Sequence, residues 1–249
     1  MNHEIEAIYT VWLREMIRYV RAKERIISSI AQPIFWLLIF GSSMRTSIPV
    51  AGLNYQNFIA PGIVVMAIMF TSMFSGISVI WDREVGFMKE MLVAPVSRLS
   101  IVAGKCFGGA TTAVIQGIIV LLISMLLGAK VNLITFLILL PIMMLIALGV
   151  VGIGVAIASV LESMEGFGVI MNFVIMPMFF LSGALFPINN LPDWLKIITY
   201  LDPITYDVEL TRYVMIGFSS INVVLSFIAT LGFTCATLLI GTYLFNKRS

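Results

Sequence analysis

Histidine occurs once in this 249-residue chain, as His3, and cysteine twice, as Cys106 and Cys235. One terminal imidazole excludes a Ser-His-Asp arrangement and a histidine metal site, and two isolated cysteines give no ligand spacing for a metal and no disulfide framework. Nucleotide loops are missing too. Gly104-Lys105 is followed by Cys106, with Leu99 where a phosphate-binding loop needs its first glycine, and Gly152-Ile153-Gly154 has Ile157 in place of the third glycine of a dinucleotide fingerprint. The chain is therefore read as neither an ATPase nor any other enzyme, with no cofactor or metal of its own.

Charge is scarce. Charged residues make up 11% of the chain, against about 25% in an ordinary soluble domain. They are so placed that six charge-free runs remain: Ile26 to Met44, Thr46 to Trp81, Cys106 to Ala129, Val131 to Leu161, Gly166 to Pro192 and Tyr213 to Asn246. A helix crosses the apolar core of a bilayer with about 20 residues, so each run is long enough, and the expected fold is all-α and polytopic with six transmembrane helices. With no cleavable-looking basic, apolar, small-residue leader ahead of it, the first is expected to be retained as structure. Placing the N-terminus in the cytoplasm puts 11 of the 15 lysines and arginines on that side and Arg45, Lys130, Lys196 and Arg212 outside, which satisfies the positive-inside rule with both termini cytoplasmic.

The runs hold no aspartate, glutamate, lysine, arginine or histidine, which disfavours an ion-coupled carrier, since such proteins receive charge at mid-membrane. Gln32, Gln116 and Asn172 stand out as polar and are read as interhelical hydrogen-bonding groups rather than substrate contacts. Pro141 and Pro177 predict kinks. Gly104 and Gly108, Ser72 and Gly76, Gly152 and Ala156, and Gly154 and Ala158 stand four apart, a spacing that lets helix backbones approach closely.

What remains is polar in three places. Residues 1–25 read as an amphipathic interfacial helix: Ile5, Ile8, Tyr9, Trp12, Leu13, Met16, Ile17 and Val20 recur at helical spacing, opposite Glu4, Glu6, Arg14, Glu15, Arg18 and Arg21. Trp12, Arg14, Arg18 and Arg21 are its expected anchors at the lipid headgroups. Residues 82–98, DREVGFMKEMLVAPVSR, form a charged island between apolar runs. Asp82 is suited to cap a short helix with Val85, Met88, Met91 and Leu92 on one side, ended by Pro95. Periodicity alone leaves open whether this is a helix that docks into a groove on a partner or a surface-resting loop. Residues 187–219 carry six charges, with Asp202-Pro203 a helix start and Gly217 a stop. Two helices too short to cross, one on each side of Asp202, are expected to dip into or rest on the outer leaflet as a broken hairpin.

The island resembles the cytoplasmic loop of the type-2 ABC exporter permeases (ABC-2 type), in particular the branch related to the daunorubicin drug-resistance exporter. Arg83-Glu84, Gly86-Phe87, Lys89-Glu90 and the run Leu92 to Arg98 carry the likeness. LSGALFPINNLPDWLKIITYLDPITY is similar to that family's fifth span and outer hairpin, through Leu181-Ser182-Gly183, Pro187, Leu191-Pro192, Asp202-Pro203 and Arg212. Many members have asparagine where Asp202 stands, which preserves the cap. The resemblance implies a single transmembrane domain over 1–249 in the cell (inner) membrane. Two permease copies, identical or paired with a relative, would join separate ABC ATPase subunits that bind ATP and magnesium. Arg83, Glu84, Lys89, Glu90, Met91, Leu92 and Pro95 would form the coupling interface, and Pro187, Pro192, Asp202, Pro203 and Arg212 would belong to an outer gate. An amphiphilic drug, a lipid or a glycan would be the substrate, with no nucleic acid involved. A secondary carrier or channel working without an ATPase, a non-transporting membrane scaffold and, more distantly, an intramembrane enzyme are the other readings.

Overall fold

The computed structural model describes residues 2–43, 55–93, 95–129, 131–161 and 163–248. Among them every regular element is helical: α1 Asn2–Arg21, α2 Lys23–Ser43, α3 Tyr55–Glu84, α4 Phe87–Val93, α5 Arg98–Leu126, α6 Leu133–Val160, α7 Met164–Ile170, a π turn Met171–Ile175, α8 Met176–Leu181, α9 Asp193–Leu201, α10 Pro203–Ile216 and α11 Val223–Arg248. The polar loop expected after the first run lies mostly at 44–54, outside the described residues.

Five of these stretches are long and apolar enough to cross a membrane: α3, α5, α6, the continuous rod from Met164 to Leu181, and α11. The expected first span is shorter; α2 carries an apolar stretch only from Ile26 to Phe40. At a rise of about 1.5 Å per residue this falls short of an upright crossing. Trp36 of α2 lies edge-on to Phe180 of α8, centroids 5.8 Å apart.

α3 is the central post. Of its most apolar window 83% is buried, against 22% for α11 and for the Met164–Leu181 rod. Close approach around it depends on small residues. A Cβ on Gly76 would lie 2.5 Å from the Gly154 carbonyl of α6, so these helices cross where neither carries a side chain. Gly104 and Gly108 seat α1 on α5 in the same way, for a Cβ on either would come 2.7 Å from the Cβ of Val11 or Glu15.

That seat divides the apolar surface of α1. Ile8, Val11 and Trp12 turn toward α5, and the Trp12 indole donates to the Thr111 hydroxyl at 3.1 Å. Ile5, Tyr9, Leu13, Ile17 and Val20, spaced three or four apart, stay exposed as a second stripe. Trp12 is thus a packing residue here.

Pro141 and Pro177 both lie within helical stretches. Pro141 lies inside an unbroken α6. Ahead of Pro177 the backbone widens into the π turn, where the Met176 amide pairs with the Met171 carbonyl, one way for a helix to absorb a residue that lacks an N–H. Asn172 in this turn donates to Gly168 of its own helix at 3.0 Å, whereas Gln116 accepts from the Tyr19 hydroxyl at 2.9 Å and so joins α5 to α1.

α3 runs from the end holding α9 and α10 to the end holding α1 and α4. At the first, the Tyr55 hydroxyl donates to the Leu185 carbonyl at 2.8 Å. α10 starts as the residues direct: Asp202 accepts from the Ile204 amide at 3.0 Å, Pro203 takes the first turn, and Gly217 closes the helix at φ +71°. The expectation of a hairpin resting on lipid is corrected for α10. Asp207, Glu209 and Arg212 are wholly buried, because α10 packs against α3, α6 and α11; protein, not lipid, surrounds those charges.

Candidate functional site

The charged island begins inside a helix. α3 continues through Asp82 to Glu84, Gly86 breaks the chain at φ +78°, and α4 starts only at Phe87. Asp82 therefore does not cap the short helix. It stands in the last turn of α3, fully buried, where the helix dipole disfavours an anion. Three cations answer it. Arg14 of α1 grips both oxygens, Nη2 to Oδ1 at 2.6 Å and Nη1 to Oδ2 at 3.1 Å; Lys105 of α5 donates to Oδ2; and Arg18 Nη1 lies 3.7 Å from Oδ1. Glu15 balances Lys105 at 3.7 Å. Lys105 was reckoned among the loop cations by sequence, but it sits in α5 and is 2% exposed. Ionisable residues thus do lie within the apolar helices, at one end.

The same Arg14 reaches the island itself. Its guanidinium lies 3.8 Å from the centre of the Phe87 ring, the first residue of α4. One side chain on α1 therefore touches α3 by charge and α4 by an aromatic face. Only arginine offers a planar fork and a stacking surface together.

The far side of the island is held as well. Glu4 accepts from the Ser97 amide at 3.1 Å and the Ser97 hydroxyl at 2.8 Å, and from the Ser100 hydroxyl. Ser97 itself caps α5, accepting from the Ser100 amide at 3.2 Å. A carboxylate from α1 thereby sits over the N-terminus of α5, where the helix dipole favours it. The Ser100 and Ser97 hydroxyls and the Ser97 amide hold the Glu4 carboxyl below its ordinary value of 4.5. Arg98 donates to the Asn246 carbonyl at 2.9 Å and ties in the end of α11.

Between these two anchors the expected coupling residues divide. Arg83 turns inward, donating to the Leu161 carbonyl at the end of α6 at 3.2 Å. Met88 is buried and Met91 half-buried. Glu84, Val85, Glu90, Val93 and Pro95 face outward, Val93 being 85% exposed. The apolar side expected for Val85, Met88, Met91 and Leu92 is thus split, because α4 is only seven residues long and begins after Val85. The side chains of Lys89 and Leu92, and all of Ala94, lie outside the described residues. On α1, Arg14 and Arg18 point into the Asp82 cluster rather than to headgroups, and Arg21 is exposed.

At the opposite end Arg212 is the fastening of the hairpin. Fully buried, it pairs with Glu209, donates to the Gly183 carbonyl at 2.7 Å and the Phe58 carbonyl at 3.4 Å, and lies 4.0 Å over the Phe58 ring. Glu209 in turn accepts from the Ser219 hydroxyl at 2.9 Å and the Ser220 amide. Pro187 is buried, Pro192 exposed and Pro203 half-buried. Glu4 and Glu15 were read from the sequence only as part of the polar face of α1, and Lys105, Glu209 and Asp207 were given no site role. The signal for Glu15 and Lys105 was the small-residue step Gly104/Gly108, which marks where α1 lies on α5.

Among the described residues no three of the metal-binding types gather into a cluster. A multi-pass helical membrane protein with an ion-paired joint at one end and a buried charged hairpin at the other is the class these features define. Residues 6–216 match the family model described as ABC-2 type transporter, and the chain belongs to that family. It is 30% identical to the transport permease ycf38 of Cyanophora paradoxa, over 98% of this chain and 89% of the relative. Nodulation protein J of Rhizobium leguminosarum bv. viciae is 26% identical over 96% of this chain and 93% of its own. The inner membrane transport permease YadH of Escherichia coli K12 is 24% identical over 89% and 87%.

Proposed function

We propose that this chain is the membrane subunit of an ATP-driven exporter, working as one of two permease copies with separate ABC ATPase subunits. The observation that carries the reading is the joint around Asp82. A force applied to α4 or α1 meets α3 and α5 through Arg14 and Lys105, so these elements move as one body. The exposed Glu84, Val85, Glu90, Val93 and Pro95 form the surface offered to the ATPase, with apolar residues for affinity and charges for register.

In this reading α2, with its flanking residues snorkelling and the bilayer thinned around it, is the first of six spans, and both termini and α4 face the cytoplasm. Nucleotide closure on the ATPase pushes α1 and α4, and α3 rocks against its neighbours. The hairpin of α9 and α10 forms the outer gate, hinged where Arg212 meets Phe58 and Gly183. Kinship with permeases, together with the apolar spans, supports an amphiphilic drug, a lipid or a glycan as cargo.

The test is replacement of Glu84 and Glu90 by lysine. The variant is expected to insert normally, to lose recovery with its ATPase, and to lose ATP-dependent transport in proteoliposomes. Unchanged assembly and transport would remove the assignment of α4, and uphill transport by the permease alone under an ion gradient would replace the exporter by a secondary carrier.

A further inference from the structure

Asp207 occupies the middle of α10 with none of its surface exposed. Its Oδ1 accepts from the Thr230 hydroxyl of α11 at 2.7 Å, while its Oδ2 is buried without a hydrogen-bond partner. An anion so placed needs a counter-ion, and the surroundings hold none that is free. Arg212, on the same helix, is engaged by Glu209 and two carbonyls.

The elements packed on α10 are α3, α6, α8, α9 and α11. α6 and α8 contain no titratable residue. α3 brings Tyr55 to this end, its hydroxyl engaged by Leu185, and its acids and arginine lie at the other end. α9 carries Asp193 and Lys196, paired with each other at 3.1 Å at the surface, and Tyr200. α11 faces Asp207 with Thr230, and its Cys235, Tyr243, Lys247 and Arg248 follow toward its far end. On α10 itself Tyr206 donates to the Tyr200 carbonyl, and Tyr213 is exposed. The acid whose charge bears on Asp207 is Asp202, the cap of α10, whose Oδ2 is also buried and unpartnered.

We propose that Asp207, with Asp202 beside it, is a proton-binding site: the packed hairpin holds Asp207 as a neutral acid, and separation of α10 from α11 releases the proton. Taking a proton removes a charge for which burial offers no compensation, and leaves a hydroxyl that is far cheaper to enclose. Burial pushes both carboxyls from 3.8 up to about 7; for Asp207 the Thr230 hydrogen bond opposes this and the Asp202 charge adds to it. Both residues lie outside the five long apolar stretches.

The linkage has a definite sign. A carboxyl whose value is raised on packing binds more protons in the packed state, so packing is fully supported below the ordinary value of 3.8 and support is lost as pH rises toward about 7. Across that window each carboxyl shifts the open fraction by up to about tenfold per pH unit. The proton site stands on the packing of α10 and does not require that the hairpin gate transport.

Hydrogen exchange of the full-length protein in lipid nanodiscs, between about pH 4 and about pH 8 and corrected for intrinsic exchange chemistry, reads the opening of residues 203–216 directly. Wild type is expected to open progressively as pH rises, and Asp207→Asn, which keeps the shape but has no proton to release, to stay closed with a shallower slope. The infrared carbonyl band of a protonated carboxylic acid in wild type near about pH 6 is the second measurement, and it decides even if the variant fails to fold; Asp202→Asn should retain part of it. A pH-independent wild-type opening, a wild-type slope in Asp207→Asn, or absence of the acid band would each overturn the proposal.

Discussion

Arg14 and Asp82, 68 residues apart in the chain, form a two-toothed ion pair that closes α1 onto the end of α3, with distances of 2.6 and 3.1 Å. Asp82 is completely buried and Arg14 about one-third exposed, so the pair lies where a lone charge is costly. It also lies next to Lys105, so the loss of either anion or cation leaves others uncompensated.

Asp82→Ala should therefore be among the most damaging single changes outside the spans' apolar packing. Stranding Lys105 and Arg14 is expected to cost about 3–5 kcal/mol, read as a lower unfolding temperature of the detergent-purified subunit. Asp82→Asn should be milder. Adding Arg14→Ala to Asp82→Ala should cost less than the sum of the two single losses, and strictly additive losses would argue against a direct pairing.

Glu4 makes a prediction of opposite sign to Asp207. Its carboxyl is held below 4.5 by the Ser100 and Ser97 hydroxyls and the Ser97 amide, so the contact to α5 is fully present above 4.5 and is lost as pH falls through the lowered value. Amide exchange over residues 96–101 should accelerate only at acid pH in the wild type. In Glu4→Gln it should be fast at neutral pH already, and identical profiles for the two proteins would exclude the latch.

Arg212→Lys tests whether the hairpin needs a fork or merely a charge. Lysine keeps the pairing with Glu209 but cannot also reach the Gly183 and Phe58 carbonyls and cover the Phe58 ring. Loss of these bonds around a buried charge is expected to cost about 1.5–3 kcal/mol for each charged hydrogen bond left unmade, with faster proteolysis of the 187–219 segment as the readout. Arg212→Ala should be worse, since Glu209 is then buried alone. Equal protease resistance of the lysine variant would mean that charge suffices.

Local signals were read correctly from the chain where their causes are local. Asp202, Pro203 and Gly217 start and stop α10 because a cap oxygen, a missing N–H and a left-handed residue act within one helical turn. The same local logic misassigned Asp82. An acid ahead of an apolar periodic stretch looks like a cap, but Gly86 places the break four residues later, and the partners that give Asp82 its place come from α1 and α5. Lys105 was counted with the loops because the charge-free run begins only at Cys106, whereas the Ser97 cap starts α5 at Arg98 and the helix carries Lys105 inward. Asp207 was passed over as one hairpin charge among six.

The residues alone settle that this is a helical membrane protein, because uninterrupted apolar length and the spacing of turn residues are properties of a single strand of sequence, and the motifs at 83–98 and 181–212 carry the likeness to the ABC-2 type transporter family that the family match bears out. Which charges are buried, which of them meet, and which side of each amphipathic helix is left open were decided only when α1, α3, α5, α10 and α11 came together. Ion pairs and buried acids depend on neighbours brought from elsewhere in the chain, and the free energy of a charge is set by those neighbours and by the water they exclude.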